Sequence, residues 1–423
     1  MSDLLPSWLE SANAPGCPFP LNNLPYGVFS AAGDTPRCGI AIGDRVLDIP
    51  ALARAGAIEF DPGLFVEPAW NAFMQAGPES WRKLRARLQD LLGANGDPRL
   101  RDDKALVETV LVPLDSVKLH APFRVTEFTD FFASRHHAQN VGALFRDPQN
   151  ALPPNWLHIP IGYNGRASSV VASGTAIHRP WGQLKAPDAD APVFAPSRRF
   201  DIELELGAVI GSPLGGPSSV QEADDAIFGY TLLNDWSARD IQFWEYQPLG
   251  PFQAKATATS IGEWIVPKAA LEPFRVDAPA REKPLLEYLK EPGPMLYDID
   301  LDIYLRGADG EETRISRTNY RHMYYSAAQQ IAHHTACGCP MRIGDLTGSG
   351  TISGPTDDSL GCLIEMTKGG REPLVLKDGQ PRTFLEDGDT VRLTGAAKRN
   401  GIAIGFGNCV GTLLAPLQEP YAR

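Results

Sequence analysis

Glycine and proline interrupt the chain at short intervals, and this feature constrains its fold more than any other. The 423 residues include 40 glycines and 37 prolines, a combined share roughly one and a half times that of average proteins. Proline lacks the amide hydrogen that a helix interior requires, and glycine weakens helices through its flexibility. The chain therefore favours short strands joined by turns over long helices.

Residues 1–118 are predicted to form a first structural unit. Apolar residues at helical spacing predict one helix over residues 81–92, which Gly93 ends. The polar stretch 97–104 is interpreted as a loop or linker. Short runs separated by turn signals precede the helix and are predicted as strands: residues 26–30, 38–42 and 45–49.

Residues 119–423 are predicted to form a second unit dominated by strands. Polar and apolar residues alternate strictly over residues 201–206, as in a half-buried strand. Capping-box patterns at Ser237 and Ser326 predict the starts of two helices. Strands and helices do not alternate regularly, which disfavours a parallel doubly wound sheet. We therefore predict a mainly β fold with short helices (α+β), divided into domains 1–118 and 119–423.

Charge and cysteine content narrow the partners and the compartment. The formal net charge of −12 comes without a basic cluster, which argues against nucleic-acid binding. No run of about 18 apolar residues predicts a membrane span, so no membrane partner is expected. Asp3 and Glu10 lie where a secretion signal carries positive charge. The six cysteines are sparse, so we expect reduced thiols and a cytoplasmic location.

Glu203 and Glu205 are the first candidate functional pair. Residues two apart in a strand project from the same face, about 7 Å apart at their Cα atoms. One interpretation is a solvated face of an edge strand, which is the more common situation. The other is a site for a hard divalent cation, because two carboxylates this close repel each other unless a cation neutralises them.

A second candidate segment follows at residues 234–246. If the capping box at Ser237 begins a helix, Arg239, Gln242 and Tyr246 lie on one face of it. Asp235 then lies just before the helix, where it is able to turn toward a metal. In the alternative interpretation, Arg239 is a surface charge and Asp235 caps the helix. Trp236, Phe243 and Trp244 in the same segment indicate a partly buried polar face instead.

His137 and Glu365 are candidates for acid–base chemistry. Asp130 and His137 are predicted to share one face of a short helix that Gly142 ends, roughly 10 Å apart along its axis. A lone histidine is more often structural, but the neighbouring aspartate makes a functional role equally plausible. Glu365 is polar among apolar neighbours in a predicted strand over residues 362–366. A buried carboxylate needs a partner, and a histidine is the expected one.

Longer motifs resemble a known family. The runs at residues 129–142, 152–163 and 234–242 are similar to those of the fumarylacetoacetase family, and residues 24–29 and 349–354 match it as well. The resemblance covers nearly the whole chain. Motifs of this length separate the chain from shorter relatives that share the metal carboxylates but perform other chemistry.

The resemblance implies an architecture and a reaction. It implies an SH3-like β-barrel over residues 1–118, a β-rich catalytic domain over residues 119–423, and a homodimer. The implied reaction is metal-dependent hydrolysis of the carbon–carbon bond of 4-fumarylacetoacetate to fumarate and acetoacetate. This reaction is the last step of tyrosine and phenylalanine catabolism. No organic cofactor is expected.

The resemblance also assigns roles to individual residues. It implies that Asp130, Glu203, Glu205 and Asp235 hold Ca²⁺ in the active site. Lys255 and Thr259, with Asp235, would frame a second site, for Mg²⁺. His137 would be the general base, oriented by Glu365, and Arg239, Gln242 and Lys255 would stabilise developing negative charge. The implied substrate contacts are Phe132, Arg146, Tyr163, Gln242, Tyr246 and Thr351.

The chain departs from the family pattern at three positions. Phe132 replaces a tyrosine, Asn164 a histidine and Ala258 a glycine. The first change removes a hydroxyl that would contact substrate. One alternative is therefore a related β-diketone or acylpyruvate hydrolase with a shifted pocket. A second is a non-catalytic calcium-binding β module, although such a module would not require a base and positioned cations beside its carboxylates.

Overall fold

The computed structural model of the chain describes residues 4–145, 148–419 and 421. Arg146, one of the expected substrate contacts, lies outside the described residues. The described part is built mainly of strands with short helices, as the sequence predicts. No described helix has both the length and the apolar character needed to cross a membrane.

Most strands are short. The strands are β1 (Tyr26–Ser30), β2 (Arg37–Ile42), β3 (Arg45–Asp48), β4 (Leu111–Pro113), β5 (Lys118–His120), β6 (Phe128–Phe131), β7 (Gly162–Asn164), β8 (Val170–Ala172), β9 (Ile177–His178), β10 (Trp181–Leu184), β11 (Val193–Pro196), β12 (Phe200–Asp201), β13 (Leu204–Ile210), β14 (Ile227–Asp235), β15 (Ser237–Ala238), β16 (Thr259–Ile261), β17 (Trp264–Pro267), β18 (Arg275–Val276), β19 (Leu296–Tyr297), β20 (Asp300–Arg306), β21 (Thr313–Asn319), β22 (Leu346–Gly348), β23 (Leu374–Val375), β24 (Pro381–Arg382), β25 (Thr390–Arg399) and β26 (Ile402–Leu414).

The helices are also short, apart from α3 and α6. The α-helices are α1 (Ile49–Arg54), α2 (Asn71–Gln75), α3 (Gly77–Leu92), α4 (Pro98–Arg101), α5 (Lys104–Val110), α6 (Arg135–Phe145), α7 (Val220–Ala226), α8 (Arg239–Glu245), α9 (Gln253–Ala256), α10 (Lys268–Leu271), α11 (Ala327–Thr335) and α12 (Leu363–Met366). Single 3₁₀ turns cover Glu10–Asn13, Pro62–Phe65, Leu114–Ser116, Pro148–Asn150, Ala167–Ser169, Glu272–Phe274, Glu287–Leu289, Tyr320–His322 and Asp357–Ser359.

One large sheet runs through both predicted units. Its strand order is β4-β3-β2-β1-β17-β14-β13-β22-β6-β7, with β5, β8 and β16 joined at its side. Tyr26 of β1 pairs with Ile265 of β17, so the N-terminal strands continue directly into the later part of the chain. Most pairings are antiparallel, and β22 with β6 is a parallel exception. A doubly wound parallel sheet is therefore absent from the described residues, as predicted.

A second sheet stands beside the first. It has the order β21-β20-β25-β26-β9 and contains the long hairpin of β25 and β26. The larger apolar core includes the inner faces of these strands together with Leu204, Leu206 and Trp236. Trp236 of this core is fully buried. Burial on that scale holds rigid the strands that present the polar residues described below.

The predicted N-terminal strands and helix are confirmed, and the predicted linker is wrong. Strands β1, β2 and β3 and helix α3 occupy the expected places, and Gly93 is the C-cap of α3. The stretch 97–104 is not a linker, because it contains α4 and the start of α5. Its polar residues cap these helices: the carboxylates of Asp97 and Asp103 accept amide hydrogens from Arg99 and Leu106.

Candidate metal and catalytic site

Four buried carboxylates converge at the centre of the large sheet. Asp130 comes from β6, Glu205 from β13, Asp235 from the end of β14, and Glu203 from the residue before β13. One oxygen of each carboxylate lies within 4.8 Å of an oxygen of every other. Glu203 and Glu205 are 4% and 0% exposed, so the interpretation as a solvated edge strand is wrong.

Strand pairing explains the convergence. Antiparallel β13 and β14 place Leu204 opposite Asn234, so the glutamates on either side of Leu204 lie beside Asp235. Strand β22 separates β13 from β6 and brings Gly348 opposite Asp130. A Cβ atom at Gly348 would lie 2.8 Å from both Asp130 Oδ1 and Glu205 Oε2. The glycine therefore makes room for the two carboxylates.

Two buried cations compensate part of this negative charge. Lys255 Nζ donates to Glu203 Oε2 at 2.5 Å and to Asp235 Oδ2 at 2.7 Å. Arg239 Nη1 lies 2.7 Å from Glu203 Oε1. Burial alone would raise the pKa of the Glu203 carboxyl, but Lys255 and Arg239 outweigh burial and lower that pKa. Burial raises the pKa of Asp235, and Lys255 only partly opposes it.

Among the described residues, Asp130 and Glu205 form no ion pair, and the more distant Lys255 lowers their pKa values only in part. Burial raises the pKa of the Asp130 carboxyl and nearby Asp235 raises it further; burial and nearby Asp130 do the same to Glu205. Among the described residues, Asp130 Oδ1 and Glu205 Oε1 are buried without a hydrogen-bond partner. Orphaned carboxylate oxygens at the meeting point of four carboxylates are the ligands that a hard divalent cation prefers. The residues present therefore fit such a cation.

His137 and Glu365 form a buried pair beside the carboxylates. His137 Nδ1 lies 2.6 Å from Glu365 Oε2, and both side chains are almost fully buried. Asn140 Nδ2 donates to Glu365 Oε1 at 2.9 Å, and Ser353 Oγ donates to Oε2 at 2.9 Å. Burial alone would raise the pKa of Glu365, but His137 and the hydrogen bonds from Cys362 and Asn140 lower it. The contact at Nδ1 leaves Nε2, on the other side of the ring, for proton transfer.

The local structure around this pair differs from the prediction. Asp130 lies in strand β6, not in a helix with His137, and α6 begins only at Arg135 and continues past Gly142. The cause is the pairing of β6 with β22, more than two hundred residues later. Glu365 lies in helix α12 and not in a strand. A run of apolar residues this short does not distinguish the two conformations.

Helix α8 carries the next group of predicted residues, but no capping box begins it. Ser237 belongs to β15, and its hydroxyl donates to the main-chain oxygen of Asp235 at 3.0 Å. Asp240 instead accepts hydrogen bonds from Ser197 Oγ and the Arg198 amide. The helix still begins at Arg239, whose Nη1 donates to Gln242 Oε1 at 3.2 Å. By contrast, the capping box at Ser326 is confirmed at the start of α11.

A cavity of about 490 Å³ opens onto these groups. Val141, Ile161, Phe243, Leu249 and Ile364 form much of its apolar wall. The predicted site residues that line it are Asp130, Phe132, His137, Tyr163, Glu203, Arg239, Gln242, Tyr246, Lys255 and Thr351. A larger cleft of about 1100 Å³ includes none of them, and nothing in it resembles a reactive cluster.

Several polar groups lie ready to contact a ligand in this cavity. Arg239 Nη2 and Thr351 Oγ1 are buried without a partner among the described residues. Tyr163 Oη donates to Asp235 Oδ2 at 3.2 Å, and Thr259 Oγ1 donates to Asp235 Oδ1 at 3.1 Å. The Lys255 side chain is a protonated donor, since its neighbouring carboxylates outweigh burial and raise its pKa. Its ammonium therefore cannot ligate a second cation.

Sequence reasoning did not assign a role to three residues that support the pair. Ser353 and Cys362 both contact Glu365, with Cys362 Sγ donating to Oε2 at 2.9 Å. Asp201 joins Arg239 to the start of α12. Asp201 belongs to the alternating run at residues 201–206, but the run gives no sign of a contact with residue 363.

Comparisons with known proteins identify the family of the chain. The family model described as "Fumarylacetoacetate (FAA) hydrolase C-terminal" matches residues 126–413, and "Fumarylacetoacetase N-terminal" matches residues 22–122. The fumarylacetoacetase of Aspergillus fumigatus is 47% identical over 432 residues, covering 98% of this chain and 100% of the relative. That of Arabidopsis thaliana is 46% identical over 404 residues, covering 94% and 96%.

A solved structure shares the fold. The fumarylacetoacetate hydrolase from psychrophilic Exiguobacterium antarcticum is 16% identical, with a TM-score of 0.53, and the match covers 93% of this chain and 99% of that one. At this identity the likeness shows the fold alone. Together with both family models and the full-length relatives, it shows that the chain belongs to the fumarylacetoacetase family.

Proposed function

We propose that the protein hydrolyses the carbon–carbon bond of 4-fumarylacetoacetate to fumarate and acetoacetate, the last step of tyrosine and phenylalanine catabolism. Relatives that carry the name fumarylacetoacetase, at 46% and 47% identity, support the proposal. The observation that carries it is the meeting of four buried carboxylates beside the His137–Glu365 pair, at a cavity that Asp130, Glu203 and His137 line.

His137 is proposed to generate the nucleophile. Its Nε2 would accept a proton from water, and the water oxygen would attack the carbonyl carbon of the bond that breaks. Glu365 would hold the ring through Nδ1 and stabilise the imidazolium that forms. The lowered pKa of Glu365 supports this role, because the carboxyl then stays ionised when the histidine takes up its proton.

Arg239, Gln242 and Lys255 are proposed to stabilise negative charge. The attack creates an oxyanion. As the oxyanion collapses, the carbon–carbon bond breaks and the acetoacetate fragment departs as its enolate, which takes up the proton held on His137 Nε2. Arg239 Nη2 is a buried donor without a partner among the described residues, which supports its contact with one of these oxygens. A positioned donor of this kind typically contributes about 3 kcal/mol to stabilising the transition state. The proposed substrate contacts of Phe132, Tyr163, Tyr246 and Thr351 line the same cavity.

Asp130, Glu203, Glu205 and Asp235 are proposed to hold Ca²⁺. When bound, the cation would supply Lewis-acid binding of the substrate's diketone oxygens. A second, structural Mg²⁺ is proposed near Asp235, with the Thr259 hydroxyl among its ligands. Lys255, whose ammonium donates to Asp235 Oδ2 at 2.7 Å, would frame this site without binding the cation through its side chain.

The larger organisation is also part of the proposal. We propose a division into an SH3-like barrel over residues 1–118 and a catalytic domain over residues 119–423. The two family matches change over between residues 122 and 126, close to that boundary. A homodimer in the cytoplasm follows from the same resemblance and the sparse cysteines.

An absorbance assay tests the function. Purified protein loaded with Ca²⁺ is mixed with fumarylacetoacetate, and loss of the diketone absorbance is followed with and without a chelator. We expect rapid loss that the chelator abolishes. Faster turnover of acylpyruvates would instead indicate a shifted pocket. Metal-loaded protein that cleaves no diketone would favour a calcium-binding module.

A further inference from the structure

Asp201 lies between the two halves of the site without touching the cavity. It is 0% exposed and ends strand β12, where it pairs with Ser237 of β15. It is neither one of the four clustered carboxylates nor one of the residues that line the cavity. A buried carboxylate in this position requires compensation from its neighbours.

Both oxygens of Asp201 are occupied. Oδ2 accepts a hydrogen bond from Arg239 Nε at 2.8 Å and from the Ile364 amide at 3.0 Å. Oδ1 accepts hydrogen bonds from the amides of Leu363 and Ile202, each at 2.8 Å. One carboxylate thus binds a guanidinium on one side and the first two amides of α12 on the other.

These contacts reach the two groups that the reaction needs. Glu365 is the residue after Ile364 in the single turn of α12, so the turn that Asp201 anchors also sets the position of the Glu365 side chain. On the other side, Asp201 fixes Nε of Arg239, while Nη1 of the same guanidinium contacts Glu203. Because the guanidinium is planar, the contacts at Nε and Nη1 also fix the direction in which Nη2 points.

We propose that Asp201 is a positioning residue that holds the Arg239 guanidinium and the Glu365-bearing turn of α12 in one fixed relation. This inference rests on the proposed function, since it assigns Asp201 to the hydrolytic step. The water-activating pair and the oxyanion donor come from segments more than one hundred residues apart. Asp201 contacts both segments directly, so displacement of one is transmitted to the other.

The substitution Asp201→Asn tests the inference with little change in volume. The amide retains one acceptor oxygen, but its NH₂ group then faces donors on the other side and one set of contacts is lost. Asp224→Asn is the matched control. Asp224 is 3% exposed and binds Lys268 at 2.9 Å and Arg275 at 2.7 Å, and no residue of this cluster lines the cavity.

We expect Asp201→Asn to lower kcat about 100-fold or more, with KM and bound Ca²⁺ changed less than about 3-fold. Asp224→Asn should keep kcat within about 2-fold even if it loses similar stability in urea. In a Glu365→Gln background, adding Asp201→Asn should cost at least 10-fold less than in the wild type, because part of its target is already gone. Multiplicative effects, or a variant that behaves like Asp224→Asn, would overturn the inference.

Hydrogen exchange provides a readout that does not depend on substrate. The peptide containing Leu363 and Ile364 should exchange about 10-fold faster in Asp201→Asn than in Asp224→Asn, and equal rates would contradict the anchoring. If wild-type protein fails to cleave fumarylacetoacetate, the proposed function falls while this comparison still decides the anchoring. If Asp201→Asn does not fold, Asp201→Glu keeps the charge but shifts it, and full kcat in that folded variant would overturn the inference.

Discussion

Individual side chains carry the chemistry in this account, and burial determines what each can do. Glu365 is buried among Asn140, Ser353 and Cys362, each of which donates to it. His137, together with Cys362 and Asn140, outweighs burial and lowers the pKa of Glu365, whose Oε2 lies 2.6 Å from His137 Nδ1. The same degree of burial raises the pKa of Asp130, whose Oδ1 has no hydrogen-bond partner among the described residues. Position in the fold therefore separates a carboxylate that orients a base from one suited to a cation.

Replacing the proposed base should nearly abolish turnover. We expect His137→Ala to lower kcat by about 10³-fold, within the range typical of general acid–base catalysis. Bound Ca²⁺ should stay unchanged, since His137 is not one of the four clustered carboxylates. His136→Ala is the control, because that side chain packs near His322 and does not line the cavity. Retained activity in His137→Ala would remove it from the mechanism.

Phe132 departs from the family pattern at a position that lines the cavity. Its ring lies 5.2 Å from that of His137 in an edge-on arrangement, at the wall of the cavity. Phe132→Tyr supplies a hydroxyl, and a new hydrogen bond of about 1 kcal/mol would lower KM roughly 5-fold. Steady-state kinetics with fumarylacetoacetate and an acylpyruvate would measure the change. An unchanged KM for both would show that the hydroxyl is irrelevant here.

At the scale of strands and helices, pairing between distant segments assembles the site. The carboxylates come from β6, β13, β14 and the residue before β13, and β22 separates β6 from β13. The site requires glycine at position 348 of β22, because any side chain there would lie against the Asp130 and Glu205 carboxylates. Register thus decides whether the carboxylates meet at all.

Gly348→Ala should weaken cation binding. The added methyl would lie 2.8 Å from two carboxylate oxygens and force them apart. We expect Ca²⁺ affinity to fall about 10- to 100-fold in calorimetric titrations, the range seen when the surroundings of metal ligands are disturbed. Gly215→Ala is the control, since nothing lies within 4 Å of a Cβ atom there. Equal affinities for the two variants would show that the cation binds elsewhere.

The sequence predicts conformation correctly where nearby residues determine it, and less well where distant segments do. Strands β1 to β3, helix α3 and the capping box of α11 follow from nearby residues and are confirmed. The conformations around Asp130 and Glu365 do not, because the β6–β22 pairing and the Asp201 contacts to α12 join distant segments. The clustering of the four carboxylates was implied only by resemblance. Spacing within one segment cannot show which distant residue lies opposite.

The fold of the whole molecule holds mutually repelling carboxylates close together, and a bound cation would reduce their repulsion. The continuous sheet and the packed core hold Asp130 and Glu205 close together, and nearby Lys255 compensates their negative charge only in part. Folding without metal therefore costs free energy at these residues. Binding to the folded state alone would stabilise it by about 2.7 kcal/mol at a concentration 100 times Kd.

Neutralising one ligand should separate metal binding from stability. In the presence of a chelator, we expect Asp130→Asn to unfold at the same temperature as the wild type or higher, because it removes a repelling charge. Added Ca²⁺ should raise the unfolding temperature of the wild type but not of the variant. Ser80→Asn, at a half-buried position far in sequence from the site, serves as a control for handling. Strong destabilisation of Asp130→Asn in chelator would contradict the claim that the clustered carboxylates repel one another.

A titration of activity against bound cation tests whether the four carboxylates hold a cation that the reaction needs. Metal-free protein is given Ca²⁺ in steps, and the bound ion and the rate of fumarylacetoacetate cleavage are measured at each step. We predict that the rate rises in proportion to bound Ca²⁺ up to one ion per chain, and that Asp130→Asn loses both together. Full activity in protein shown to be free of divalent metal would contradict the claim.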